Sequence, residues 1–239
     1  MQIAICFFGL TRSLKYTIES IQKNIFEVLS SNGIIYTKFL HTYDLDELTN
    51  ARSQENKCKL DKDEYKLLNC ENVVVTNQML YLENLEFKTY KKNGDPWNDN
   101  YKSLQNFLCQ MNSLNEVTKL WKQSGNTYDL VFYIRPDLKY NKLCIEDILQ
   151  SHREKLVLTP SFALFEGYND RMAVGPPESM VVYGSRLSFA KEYAENHPLH
   201  SESFLKYVLN KNNIKHKSIF RLKGKRVRAN GVTIDNNLF

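Results

Sequence analysis

A chain of 239 residues, 42% of them hydrophobic and 25% charged, is long enough to bury a sizeable core, which excludes a binding peptide or a disordered adaptor. No stretch approaches the roughly 20 apolar residues that cross a bilayer, so the composition predicts a water-soluble protein without a transmembrane segment. The net charge of +5 is spread over many Lys and Arg positions and does not by itself indicate nucleic acid.

The five cysteines, Cys6, Cys58, Cys70, Cys109 and Cys144, are odd in number and contain no Cys-x-x-Cys pair, which predicts reduced thiols in a cytoplasmic compartment. The opening apolar run is cut short by Arg12 and Lys15 and has no small-residue cleavage site, so it reads as a first buried strand rather than a leader.

In chain order, residues 3–8 predict a strand, Gly9 a turn, and residues 13–29 a helix with Leu14, Ile18, Ile21, Ile25, Val28 and Leu29 on one face. A second strand over 34–40 runs into His41-Thr42-Tyr43-Asp44 and completes a βαβ unit, the signature of a parallel sheet. The polar stretch 45–72 reads as a helix with loops, and 73–75 as a brief strand. After the Asp95-Pro96-Trp97 turn, apolar residues from Leu104 to Trp121 recur every three or four positions, predicting a long amphipathic helix.

Residues 130–134 form a compact apolar strand that ends in Arg135-Pro136-Asp137. Further strands are expected over 156–158 and 162–165, a polar loop between Gly167 and Gly175, helices over 177–194 and 202–209, and a basic tail over 221–232 with a possible last strand.

Carboxyl ends of parallel strands are where such sheets gather ligands, so Asp137 is the leading candidate for a metal-ligating carboxylate. Pro136 fixes its own φ and biases Arg135 toward extended geometry, which aims the carboxylate. The structural alternative is a turn cap with Arg135 in a surface ion pair. Gly9 either lets a backbone approach a nucleotide or serves a tight turn, and Arg12, at the start of the next helix, is placed to meet a phosphate.

Asp170 and Arg171 lie in a loop after a strand, and Asp170 is the first choice of base for deprotonating a hydroxyl. Glu202 is the rival base, with helix capping as its structural alternative. Arg226 and Arg228 fall on one side of a strand, where they either clamp an anion or form a solvated face.

Taken together and in order, these segments resemble a group of small glycosyltransferases, many encoded by large DNA viruses and bacteria. The resemblance rests on Gly9-Leu10-Thr11-Arg12, on His41-Thr42-Tyr43-Asp44, on Arg135-Pro136-Asp137, and on Asn169-Asp170-Arg171-Met172-Ala173 followed by Gly175, Met180, Tyr183 and Gly184. It implies a GT-A-like α/β fold, a mixed, mainly parallel sheet flanked by helices in one domain, with a nucleotide-binding part over about 1–140 and an acceptor-binding part over about 141–239.

The implied activity is transfer of a sugar from a nucleoside-diphosphate donor to a hydroxyl of a glycan or small acceptor, with no nucleic-acid partner. Donor contacts fall to Gly9, Thr11, Arg12, His41, Asp44, Arg135, Arg171, Arg226 and Arg228, and the metal, Mn²⁺ or Mg²⁺, to Asp137. Arg135 stands where the two-carboxylate Asp-x-Asp signature has its first acid, which leaves a metal-free variant open. Two other readings remain: a nucleotide-sugar or carbohydrate binder without turnover, and a metal-dependent nuclease, for which the clustered carboxylates of a two-metal site are lacking.

Overall fold

A computed structural model describes residues 1–234. Strand β1 (Gln2–Phe8) is buried from residue 3 onward, so it is apolar on both faces and central in its sheet. The period of two divides its side chains: Ala4, Cys6 and Phe8 enter one core cluster, Ile3, Ile5 and Phe7 the other.

The chain turns at Gly9, whose φ of 94° suits a residue without a Cβ, and enters α1 (Leu14–Ile21). A π turn over Gln22–Phe26 joins this helix to α2 (Glu27–Ser31). β2 (Ile35–Asp44) then lies parallel to β1, with Gln2 opposite Ile35 and Phe8 opposite His41.

The polar stretch that reads as a helix in sequence is instead a hairpin of β3 (Glu47–Asn50) and β4 (Glu55–Lys59), followed by a 3-10 turn over Glu64–Leu68. It has no apolar stripe to seat a helix, and Gln54 takes the left-handed backbone that reverses the chain. β5 (Asn72–Asn77) pairs parallel to β2 and hands over to α3 (Gln78–Glu83), whose first turn is capped by the Asn77 side chain.

The long helix α4 (Lys102–Gln123) buries Leu104, Phe107, Leu108, Met111, Leu114, Val117 and Trp121 against the Ala4/Cys6/Phe8 face of the sheet. β6 (Leu130–Ile134), buried throughout, pairs parallel to β1 on the side away from β2. β7 (Leu138–Tyr140) follows, then α5 (Ile145–Glu154) and β8 (Val157–Pro160).

The expected strand over 162–165 is a run of turns, with Ala163 and Phe165 in the left-handed region and Phe165 about half exposed. The polar loop after it is shorter than expected, because β9 (Met172–Gly175) is a strand, antiparallel to both β6 and β8.

The helix expected over 177–194 is broken into α6 (Pro177–Gly184), a 3-10 turn over Arg186–Phe189 and α7 (Ala190–Ala194). Gly184, the last residue of α6, packs too closely for a side chain, since a Cβ there would come within 2.0 Å of Thr118 Oγ1 and 2.4 Å of Tyr133 Oη, atoms of a buried hydrogen-bonded pair. α8 (Ser201–Lys211) and β10 (His216–Ile219) follow, and β10 extends the sheet parallel to β8. The basic tail forms β11 (Gly224–Val227), antiparallel to β7 and to the short β12 (Thr233–Ile234).

The main sheet therefore runs β10-β8-β9-β6-β1-β2-β5, parallel apart from β9, with helices on both faces. Strand order grows outward through β2 and β5 on one side of β1 and through β6 on the other, so the β1–β6 junction is the topological switch point. That junction is where an open α/β sheet opens a crevice at its carboxyl edge. No described helix is long and apolar enough to cross a membrane.

Candidate active-site cleft

A cleft of about 400 Å³ opens at that edge. Its lining comes from the segments that follow successive strands: Gly9 and Arg12 after β1, Gln78 after β5, Arg135 and Asp137 after β6, and Phe165 after β8. Because β9 runs antiparallel, with Met172 opposite Ile134, its amino end sits at the carboxyl end of β6 and brings Asp170 and Arg171 beside Arg135 and Asp137.

The tail is carried in by backbone bonds. The Val227 N–H donates to the Asp137 carbonyl at 2.9 Å, and the Ser13 hydroxyl donates to the Val227 carbonyl at 3.0 Å. The flanking Arg226 and Arg228 thereby line the cleft.

Asp137 is almost wholly buried and its carboxylate is fully engaged. Arg135 Nε donates to Oδ1 at 2.8 Å, Arg135 Nη2 to Oδ2 at 2.8 Å, and Arg12 Nη2 to Oδ2 at 2.9 Å. Burial alone would raise this carboxyl, but the charges of Arg135, Arg12 and Arg226 hold it well below the usual carboxylate range. Arg12 continues the chain of contacts, with Nη1 donating to Glu55 Oε2 at 3.0 Å, and Glu55 Oε1 accepts from the Ala229 N–H at 2.8 Å.

The donor set does not fit a divalent cation. One carboxylate with both oxygens taken by guanidinium groups offers such an ion no free ligand, and among the described residues no group of three His, Cys, Asp or Glu stands together as a metal site.

Asp170 is buried, with Oδ2 accepting from Gln110 Nε2 at 2.8 Å and lying 3.9 Å from Arg186 Nη2. Gln110 in turn accepts from Arg135 Nη1 at 2.6 Å, which joins the Asp170 and Asp137 halves of the cleft. Glu202 lies in the first turn of α8, where the helix dipole favours the carboxylate. Burial outweighs that and, with the Asp170 charge nearby, pushes its carboxyl up to about 7. Beside it, His200 packs on Trp97 with ring centroids 5.1 Å apart and on Phe165 at 5.9 Å, forming an aromatic wall.

Of the residues singled out from sequence, Gly9, Arg12, Arg135, Asp137, Asp170, Arg171, Glu202, Arg226 and Arg228 line this one cleft. Thr11, His41 and Asp44 do not. Thr11 sits buried in the turn, and its carbonyl accepts from the Leu14 N–H. His41 is fully buried with Nδ1 2.8 Å from Ser113 Oγ and Nε2 3.1 Å from Thr76 Oγ1, and Asp44 pairs at the surface with Lys62 at 2.9 Å.

Gln110, which lines the cleft, and Glu55 and Arg186, which stand behind it against Arg12 and Asp170, are not legible in the sequence. Glu55 lies in the unpatterned polar stretch, Gln110 on the polar margin of α4, and the fully buried Arg186 just past the helix break.

No curated protein matches the chain. Among solved structures it is similar to mouse xyloside xylosyltransferase 1 in the apo form, at 10% identity and a TM-score of 0.45 over 92% of this chain and 85% of that one. It is similar also to the galactosyltransferase LgtC in complex with donor and acceptor sugar analogues, at 10% identity and a TM-score of 0.45 over 90% and 73% of the two chains. The Streptococcus pneumoniae TIGR4 glycosyltransferase GlyE gives 9% and 0.44, and this chain spans 46% of its length. These overlaps are too loose to transfer a residue or a role. The family model described as Domain of unknown function (DUF7796) matches residues 1–221, and the chain belongs to that family.

Proposed function

We propose that the chain is a GT-A-like glycosyltransferase, moving a sugar from a nucleoside-diphosphate donor to a hydroxyl of a glycan or small acceptor. The observation that carries this reading is a cleft at the sheet's switch point that combines an excess of guanidinium groups with a buried carboxyl poised near neutrality.

Six arginines line the cleft, Arg12, Arg52, Arg135, Arg171, Arg226 and Arg228, against three carboxyl groups, Asp137, Asp170 and Glu202. That surplus suits a substrate whose leaving group is a diphosphate. In direct displacement the acceptor oxygen bonds to the anomeric carbon as the bond to the diphosphate oxygen breaks, and its electron pair stays on the diphosphate. The acceptor proton passes to a carboxylate.

Glu202 suits that last role better than Asp170, the choice favoured from sequence. A base works best with a value near the operating pH, and Glu202 is raised to about 7, whereas an Asp170 oxygen is already occupied by Gln110 and faces Arg186. Asp170 then acts by keeping negative charge beside Glu202. The Trp97, His200 and Phe165 wall next to Glu202 suits the apolar face of an acceptor ring.

The test is a thermal-shift panel of nucleoside-diphosphate sugars on the full chain, followed by assay of free nucleoside diphosphate with and without glycan acceptors. The reading expects at least one donor to raise the melting temperature and to be consumed. If no donor binds, the transferase reading is overturned; binding without consumption assigns a nucleotide-sugar binder instead.

A further inference from the structure

We propose that the cleft holds the donor's diphosphate with guanidinium groups alone, Arg12, Arg171, Arg226 and Arg228, and that donor binding requires no divalent cation. The identity of the ligand rests on the donor reading above; its mode of capture rests on three independent features of the cleft.

The first is the state of the only carboxylate at the end of β6. A cation on Asp137 would have to displace three charge-assisted hydrogen bonds and then sit among the like charges of Arg12, Arg135 and Arg226. Asp170 offers little help, because Gln110 already donates to its Oδ2.

The second is a set of buried donors left without an acceptor. Arg12 Nε, Arg171 Nη1, Arg226 Nε and Arg228 Nε are buried without a hydrogen-bond partner, although their residues line one cleft. Arg171, more than nine-tenths buried, and Arg226 direct no side-chain hydrogen bond or ion pair to any described residue. An unmade bond of this kind is expensive, and four such donors lining one cleft suit an anion with several acceptor oxygens.

The third is mutual repulsion. Burial, and then the charges of Arg171, Arg135 and Arg228, drive Arg226 well below its ordinary value, and burial lowers Arg171 as well. An anion between them relieves that repulsion and accepts from the orphaned N–H groups. Guanidinium forks match phosphate oxygens in pairs, which an ammonium does not.

The experiment is calorimetric titration of the full chain with UDP, GDP and inorganic pyrophosphate, each in excess EDTA and again in Mn²⁺ or Mg²⁺. The expected result is an affinity for at least one nucleoside diphosphate that changes less than about threefold between the two conditions. R171M and R226M, which keep an unbranched apolar stem but remove the guanidinium, should each weaken binding about tenfold or more in EDTA, and R226K should recover only part of it.

D137N removes the carboxylate that a metal would need and should leave nucleoside-diphosphate binding in place both in EDTA and with metal, whereas a metal held by Asp137 predicts that the binding seen with Mn²⁺ or Mg²⁺ is lost. Where D137N does not fold, the comparison of EDTA with metal on the unaltered chain decides. Binding that appears only with metal, no binding in either condition, or unaltered affinity in both arginine variants overturns the proposal.

The two readings fail separately. A donor that is bound and consumed only with Mn²⁺ leaves the transferase standing and removes metal-free capture. Pyrophosphate bound in EDTA with every nucleotide sugar ignored does the reverse.

Discussion

Arg135 grips Asp137 from two residues away in a closed fork, Nε on Oδ1 and Nη2 on Oδ2, both at 2.8 Å. The intervening Pro136 leaves the two side chains little freedom to part, and Tyr140 Oη donates to the Arg135 carbonyl at 2.7 Å. The fork neutralises a carboxylate that could not otherwise survive this burial, and the same carboxylate anchors Arg12.

From this follows a stability prediction. Asp137→Ala strands Arg135 and Arg12 in a buried setting and should cost about 3–5 kcal/mol. The native carboxyl lies well below its unfolded value, so its contribution is complete above that unfolded value, near 3.9, and is lost progressively as the pH falls from there toward the native one. Urea unfolding at pH 7.5 and again below pH 4 should show a gap between variant and parent that narrows in acid. A gap that is the same at both pH values would mean that the ion pairs contribute nothing net.

Glu202 has the opposite sign. Its native carboxyl is raised to about 7, so between its unfolded value and 7 the folded state binds the extra proton and stability falls as the pH rises. Glu202→Gln should therefore stabilise the fold at pH 8 by an amount on the order of 2 kcal/mol, with little effect at pH 5. Transfer by the parent should rise with pH through about 7 and level off, whereas the residual rate of Glu202→Gln should lose that inflection. An unchanged pH profile would move the base elsewhere.

The parts of the site that could be read from sequence are those attached to apolar strands. Residues 130–134 announce themselves as a buried strand, so the tripeptide at its end is conspicuous, and the glycine and arginine after residues 3–8 stand out in the same way. Glu55 could not be found like this. Its meaning comes from Arg12, 43 residues earlier, and from Ala229, 174 residues later, and neither separation leaves a mark on the local pattern. The strand over Met172–Gly175 was also hidden, because four residues wedged antiparallel between β6 and β8 are too few to show a period.

His41 illustrates the limit of a motif match. It suggests a donor contact, yet the ring lies fully buried between Ser113 and Thr76, and burial lowers it to about 4. Ser113 Oγ also accepts the Gly9 N–H at 2.8 Å, so the ring steadies the turn that precedes Arg12 without lining the cleft. His41→Ala should destabilise by about 2–4 kcal/mol through a cavity and unpaired hydroxyls, with donor affinity of the folded protein changing less than about threefold. In the parent, neutral His41 favours folding above pH 6.5, and that contribution is lost as the pH falls toward 4. A tenfold loss of donor affinity in a variant that folds normally would restore His41 to the site.

Gly167 offers the most direct control over Glu202. A Cβ on Gly167 would lie 2.0 Å from both the carbonyl carbon and the carbonyl oxygen of Glu202 and 2.4 Å from the Ser203 nitrogen, all of them backbone atoms that cannot swing aside. The adjacent Tyr168 N–H donates to that same Glu202 carbonyl at 3.1 Å, so the loop and the first turn of α8 are locked together at this point. Gly167→Ala must shift the two segments apart, and overpacking of this kind costs about 1–3 kcal/mol. The shift acts at the amino end of α8, where Glu202 leans on Ser201 and faces His200; Arg12, Arg226 and Arg228 come from other segments, and Arg171, although in the same loop, is held separately by its N–H donating to Asn169 Oδ1 at 3.0 Å and by the pairing of the adjacent Met172 with Ile134. The expected outcome is a variant that still binds nucleoside diphosphate with near-parental affinity while its transfer rate falls about tenfold or more, because a misplaced base is lost to the reaction but not to donor binding. Titration calorimetry beside a turnover assay separates the two quantities; equal losses in both would mean that the Gly167 contact supports the whole cleft rather than the Glu202 carboxylate.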